Sequence, residues 1–157
     1  RLSLAVENIK NDRSIRVLYE GTKPTLGFFI PPMIVEVKDI NHWLMKDELF
    51  GPIVAIFRAD DLKQAILAAN NSRFASTGAI YSRSPLNLSY ARENFLVGNL
   101  YINQKCTGAV VGRQPFGGFK MSGTGIKAGG PSYLLNFVDA KVVSENTMRR
   151  GFTPDLE

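Results

Sequence analysis

Three β-rich runs alternate with two helix-forming segments between Pro52 and Ile102, and the connections are short. Pro52 to Phe57 is the first run. Asp60-Asp61 can cap the following helix, whose apolar residues Leu62, Ala65, Ile66 and Ala69 fall at i, i+3, i+4 and i+7. An acid at that end also suits the helix dipole. Thr77 to Tyr81 is the second run. Ser84-Pro85 then supplies an N-cap and a first helical residue, where a missing N–H is tolerated. That helix carries Leu88, Ala91 and Phe95 on one face and ends before Gly98, and Asn99 to Ile102 is the third run. Parallel neighbours need a crossover rather than a tight turn. The order therefore predicts an α/β fold, a three-layer parallel sheet with flanking helices.

Upstream, a helix-like opening carries Leu4 and Ile9 on an incomplete apolar face. Ser14 to Tyr19 alternates polar and apolar residues, the period of a strand, and Glu20-Gly21 closes it. Gly27–Ile30 and Met33–Val37 are apolar runs separated by Pro31-Pro32, so a strand must bend or restart there. Between Cys106 and Pro131 glycines stand at 108, 112, 117, 118, 123, 125, 129 and 130. Such density predicts a long loop with tight turns, and long ordered loops are commonly functional. Tyr133 to Phe137 and Lys141 to Val143 return to apolar alternation before an Arg-rich tail. The division expected is a body over 1–132, with its loop at 106–131, and a terminal strand and tail over 133–157.

With 157 residues, 45% hydrophobic and 21% charged, the chain has the balance of one globular domain. The net charge of +5 comes from scattered residues. Arg149-Arg150 and a loose Arg113, Lys120 and Lys127 set do not make the basic, aromatic-interleaved face that nucleic acid needs. A lone Cys106 makes no disulfide framework, and no Cys/His spacing resembles a metal site. His42 has no second histidine, which favours a packed or surface role. No apolar run approaches the roughly 20 residues of a membrane span, and no signal peptide is visible. Lys46-Asp47-Glu48-Leu49 spells a retention signal, but such signals are read at the extreme C-terminus. A start at Arg1 without methionine is expected of a piece of a longer protein, and a processed chain would look the same.

Phosphate loops are absent in recognisable form: Gly123-Thr124-Gly125 is followed by Gly129, one residue out of step with a dinucleotide fingerprint. Glu48-Leu49-Phe50-Gly51-Pro52 is more specific. In extended geometry Glu48 and Phe50 share a face. A carboxylate there can accept from both ribose hydroxyls, and the ring can pack on a flat heterocycle. A surface glutamate and a core phenylalanine before a turn is the competing reading, and the residues alone leave both open.

That pentapeptide matches the E-[IL]-F-G-P motif of the aldehyde dehydrogenase superfamily, and Arg113 to Gly123 matches its PFGGxKxSG segment. Both stand in the right order, with Gly98-Asn99-Leu100-Tyr101-Ile102-Asn103 between them. The chain thus resembles that superfamily from about Arg1 to about Asn146. More narrowly, Thr107 to Gly118 resembles the substrate-anchoring loop of 1-pyrroline-5-carboxylate dehydrogenases. Lys127 to Leu134 and Glu145 to Phe152 resemble their C-termini, including those of bifunctional proline-utilisation proteins.

The resemblance implies the C-terminal part of an aldehyde dehydrogenase catalytic domain, followed by an oligomerisation strand around Leu134 to Val143. It implies a cytoplasmic, homo-oligomeric enzyme that oxidises L-glutamate γ-semialdehyde to glutamate with NAD in proline catabolism. Glu48 would hold the nicotinamide ribose and Phe50 would pack beside the nicotinamide. The N–H groups of Gly108 and Ala109 would take the substrate α-carboxylate, and Phe116 would wall its aliphatic part. The family's chemistry needs a cysteine nucleophile and a glutamate base. The resemblance places both, with the Rossmann domain, before Arg1. Cys106 is then a loop residue, no catalytic residue lies in this chain, and the chain alone is expected to be inactive. A different aldehyde substrate, a purely structural oligomerisation segment and a degenerate homologue are the rival readings. Alone, the chain is expected to self-associate or to rearrange its loop at 106–131.

Overall fold

A computed structural model of the chain describes residues 1–148. Helix α1 (Leu2–Asn11) buries Ala5 and Ile9, one turn apart, whereas Leu4 points outward at 60% exposure. The inward stripe is therefore Ala5/Ile9, not Leu4/Ile9. Asp12 closes the helix and turns the chain, its Oδ1 accepting from the Ser14 amide at 2.8 Å and the Ser14 hydroxyl at 2.6 Å. These bonds, with a further one to His42, hold the Asp12 carboxyl down to about 2.

Strand β1 (Ile15–Glu20) pairs antiparallel with β2 (Met33–Val37), with an irregularity between Val17 and Tyr19. β1 is an edge strand and most of its residues are exposed; β2 is central and carries the core. Met33, Val35 and Val37 of β2 are 1% exposed or less, and with Ile9 and Leu44 they form the main apolar cluster. β3 (Ile53–Ile56) lies parallel to β2 with Met33 opposite Ile53. The crossover between them holds a 3₁₀ turn, Trp43–Met45, which buries Leu44. His42 caps this turn through Nδ1, which accepts from the Leu44 amide, and its Nε2 meets Asp12 at 3.0 Å. The lone histidine is thus a packed one.

The strand expected at Gly27–Ile30 is absent. Gly27 has φ 97°, Phe28 is fully exposed, and the two prolines that follow offer no ladder donors. Pro32 instead receives the Gly21 amide at 2.8 Å.

Helix α2 (Leu62–Asn70) is capped by Asp61, whose side chain accepts from the Gln64 amide at 2.8 Å. It buries Ile66 and Ala68, so Ala68 takes the inward place expected of the exposed Ala69. A two-residue strand, β4 (Phe74–Ala75), follows. Then β5 (Thr77–Ile80), helix α3 (Pro85–Asn94) and β6 (Asn99–Ile102) make a parallel βαβ unit with Gly78 opposite Leu100. Ser84 caps α3, Ala91 is fully buried, and Phe95 packs where a side chain at Gly78 would stand. β7 (Phe119–Lys120) pairs back on β4, antiparallel.

The mixed α/β character and parallel pairing agree with the sequence, but β3 and β5 are not laddered to each other. Parallel strands occur in two separate sheets, β1-β2-β3 and β5-β6. Downstream, the alternation at Tyr133–Phe137 forms a 3₁₀ turn rather than a strand. Tyr133 and Phe137 meet edge to face with centroids 5.5 Å apart, as i, i+4 partners do. Residues 138–148 have no ladder partner among the described residues. A strand there requires a partner that the described residues do not supply. The Arg149-Arg150 pair and the resemblance at Gly151-Phe152 lie outside the described residues. No helix among the described residues is long and apolar enough to cross a membrane.

Candidate active-site loop

The glycine-rich segment is tied down at its base by the Asn99 side chain and by its own Lys120, Ser122 and Lys127. Gly98 sits so close to this base that an added Cβ would come within 1.9 Å of the Gly117 carbonyl. Asn99, at the start of β6, donates to Pro115 O at 2.9 Å and accepts from Gly117 N at 3.2 Å. Phe116 and Ala128 exchange both backbone hydrogen bonds, at 2.9 and 2.8 Å. The Lys127 ammonium donates to Gly98 O at 2.7 Å and to Gly117 O, and lies 4.7 Å from the Phe119 ring centre. Desolvation holds this amine below the ordinary lysine value.

The other half of the segment is held by α2 and β4. Lys120 adopts φ 52° and its Nζ caps the end of α2, donating to Asn70 O at 2.6 Å and Ser72 O at 2.9 Å. Ser122 Oγ accepts the Ala75 amide at 3.0 Å. Lys120 and Ser122 are the two polar residues of the PFGGxKxSG match, and both spend their polar atoms on backbone. Their structural roles, like those of Asn99 and Lys127, were not visible in the sequence. The only signal was polar residues set among close-packed glycines.

Above this base the chain runs out to the expected anchor. Gly112 N donates to Gly129 O at 3.0 Å, and Val110 O accepts from Arg113 and Gln114. Gly108 has φ 80° with open space around it, and the turn that follows lies at residues 111–113. Neither the Gly108 nor the Ala109 N–H has an acceptor among the described residues, and both residues are exposed. Successive backbone amides without acceptors are the donors that an anion-binding nest would use. Phe116 is 42% exposed, with its backbone fixed by the Ala128 bridge. Cys106 is an exposed free thiol two residues before Gly108, with no hydrogen bond to a base among the described residues.

Glu48 and Phe50 are placed differently from the extended geometry expected. Phe50 has φ 54°, a left-handed residue, so the two do not alternate along a strand. The cause is tertiary. Leu49 tucks against the main apolar cluster, and its carbonyl accepts from Arg1 at 2.5 Å. Gly51 meanwhile faces Leu2 so closely that a Cβ would stand 2.6 Å from it. Phe50 is left 83% exposed over a small cavity of about 140 Å³, lined also by Leu44, Leu49 and Ile53. Glu48 is exposed and makes no ion pair or hydrogen bond among the described residues. Gly108, Ala109 and Phe116 belong to one loop; the cavity beside Phe50 includes none of them.

Residues 3–143 match the aldehyde dehydrogenase family. The chain belongs to that family. Among curated members, it is 55% identical to the 1-pyrroline-5-carboxylate dehydrogenase of Geobacillus sp. (strain WCH70) over 119 residues, 76% of this chain and 23% of that protein. It superposes on proline utilization A (PutA) from Bdellovibrio bacteriovorus, inactivated by N-propargylglycine, with a TM-score of 0.81 at 47% identity, covering 98% of this chain and 16% of the other. A Thermus 1-pyrroline-5-carboxylate dehydrogenase with bound NAD gives a TM-score of 0.78 at 38% identity, covering 87% and 26%. The chain therefore spans about a quarter of the length of the curated aldehyde dehydrogenases it matches. The matched span contains both family motifs and the whole glycine-rich base.

Proposed function

We propose that this chain is the substrate-anchoring part of an NAD-dependent dehydrogenase that oxidises L-glutamate γ-semialdehyde, the open form of 1-pyrroline-5-carboxylate, to L-glutamate in proline catabolism. The observation that carries the reading is the pair of acceptor-free amides at Gly108 and Ala109, held on a loop whose base is bonded throughout. A carboxylate has two oxygens to offer such a pair. A simple aldehyde has none to spare, and a site built to hydrogen-bond one group discriminates against analogues lacking it. The names of the relatives support the same substrate.

Oxidation removes two electrons as hydride, adds the oxygen of one water and releases two protons; NAD, when bound, takes the hydride. Residues here bind and orient. Glu48 offers an exposed, unpartnered carboxylate, which suits the two hydroxyls of a ribose. Phe50 presents an open ring face beside it in sequence. The Gly108 and Ala109 amides fix the far end of the substrate, and the Phe116 ring borders its aliphatic chain. Cys106 is an exposed free thiol in the loop, and we assign it no chemistry. Leu134 to Val143, exposed throughout, would supply a strand to a second copy in a homo-oligomer.

The test uses a complete enzyme, made by placing residues 3–143 in the Geobacillus dehydrogenase. Ala109→Pro deletes one anchor donor; Gly108→Pro is unsuitable because φ 80° is closed to proline. Loss of a hydrogen bond to a charged group should raise KM for the semialdehyde about tenfold or more. Turnover of propanal should change little. An unchanged semialdehyde KM would contradict the proposal.

A further inference from the structure

We propose that Lys127, together with Asn99, is a positioning residue that holds the anchor loop in its carboxylate-receiving form and so sets preference for α-carboxylated aldehydes. This rests on the anchor reading above. Lys127 lies 18 residues beyond Ala109 in sequence, and the anchor reading gives it no contact with substrate. Its ammonium bridges two carbonyls from different segments, Gly98 just before β6 and Gly117 in the loop, with Phe119 beneath it. The Gly117 oxygen also sits where any side chain on Gly98 would have to go. Two carbonyl oxygens turned toward one partly buried point repel each other unless a donor stands between them, and a cation is the strongest such donor.

From this point the bonding is continuous toward the anchor. Residues 115, 116 and 117 are fixed in turn: Pro115 O by Asn99, Phe116 by Ala128 on both its backbone groups, Gly117 by Asn99 and Lys127. Gly112 is then bonded to Gly129, and Arg113 and Gln114 fold back on Val110 O. Val110 follows Ala109 directly. Lys127 and Gly129 belong to the same returning limb, so loosening Lys127 frees the limb that holds the turn. Small displacements of binding groups have large kinetic effects. Lys127 makes no contact of its own with the anchor amides and acts through the loop.

The experiment compares Lys127→Met, Ala109→Pro and the double variant in the complete enzyme, with glutamate semialdehyde and propanal as substrates. Lys127→Met keeps the aliphatic stem and removes the donor. It should raise semialdehyde KM about tenfold, leave its kcat within about twofold, and leave propanal kcat/KM within about twofold. In the double variant it should add little to the KM of Ala109→Pro, because both act through one loop. Lys127→Arg should restore most of the loss. Should Lys127→Met fail to fold, Asn99→Asp, which keeps the acceptor for Gly117 and removes the donor to Pro115, should show the same split between substrates. Equal losses on both aldehydes, full additivity, or no KM change would overturn the proposal while leaving the anchor reading intact. A starting enzyme indifferent to the α-carboxylate would overturn both.

Discussion

Asp12 joins two parts of the chain 30 residues apart, with Ser14 on one oxygen and His42 on the other. Because Leu44 N–H occupies Nδ1, the imidazole proton sits on Nε2 and is donated to the carboxylate. The Asp12 carboxyl is held at about 2 against an ordinary 3.8, first by the Ser14 hydroxyl and then by His42. A depressed acid contributes stability that is complete above its unfolded value and is lost as pH falls toward its folded one. Asp12→Asn should therefore flatten the acid-unfolding profile of the complete enzyme between about pH 4 and pH 2, read by circular dichroism. Parallel profiles would refute this. Residue roles were legible where they are local. The Asp61 and Ser84 caps need only three residues of context. Glu48 and Phe50 were misplaced on one face because the φ of 54° at Phe50 follows from Leu49 and Gly51 packing elsewhere. The Lys127–Gly98 bond spans 29 residues and has no local signature.

Among the elements, the βαβ unit β5-α3-β6 was readable because its caps, periodicity and turn residues all agree. The β4–β7 pair was not, since two-residue strands carry no periodicity. Gly27–Ile30 looked like a strand by composition and is not one, because its glycine is left-handed and the prolines beyond it cannot donate. The loop at 106–131 was visible as glycine-rich, but its internal order depends on partners outside it. One of these is testable. Gly98→Ala would push a methyl into the Gly117 carbonyl, 1.9 Å away, and backbone cannot yield as a side-chain tip does. The cost should be about 1–3 kcal/mol in stability by thermal or denaturant unfolding, as for other overpacked sites, with weakened semialdehyde binding. A stability equal to the parent's would mean that the loop base adjusts freely.

At the scale of the molecule, β3 is half covered: Ile53 and Ala55 face the core while Val54 and Ile56 are exposed at 57% and 37%. Phe28, Leu135, Phe137 and Val142 are likewise open to solvent. Apolar surface of this extent marks a place where protein packs on protein. The chain in isolation should self-associate in light scattering, and a monodisperse monomer would refute that. Fold class and the β5–β6 pair followed from the order of elements, but the grouping of the strands into sheets did not. Pairing is non-local, and β3 and β5, neighbours in the sequence pattern, lie in different sheets. The loop over 106–131 is proposed to select an aldehyde by its α-carboxylate. Its most direct test is NADH formation by the complete enzyme carrying this segment, with glutamate semialdehyde beside propanal. The kcat/KM for the semialdehyde should be higher by at least about tenfold, as expected for one or two hydrogen bonds to a charged group. Equal or better use of propanal would contradict it.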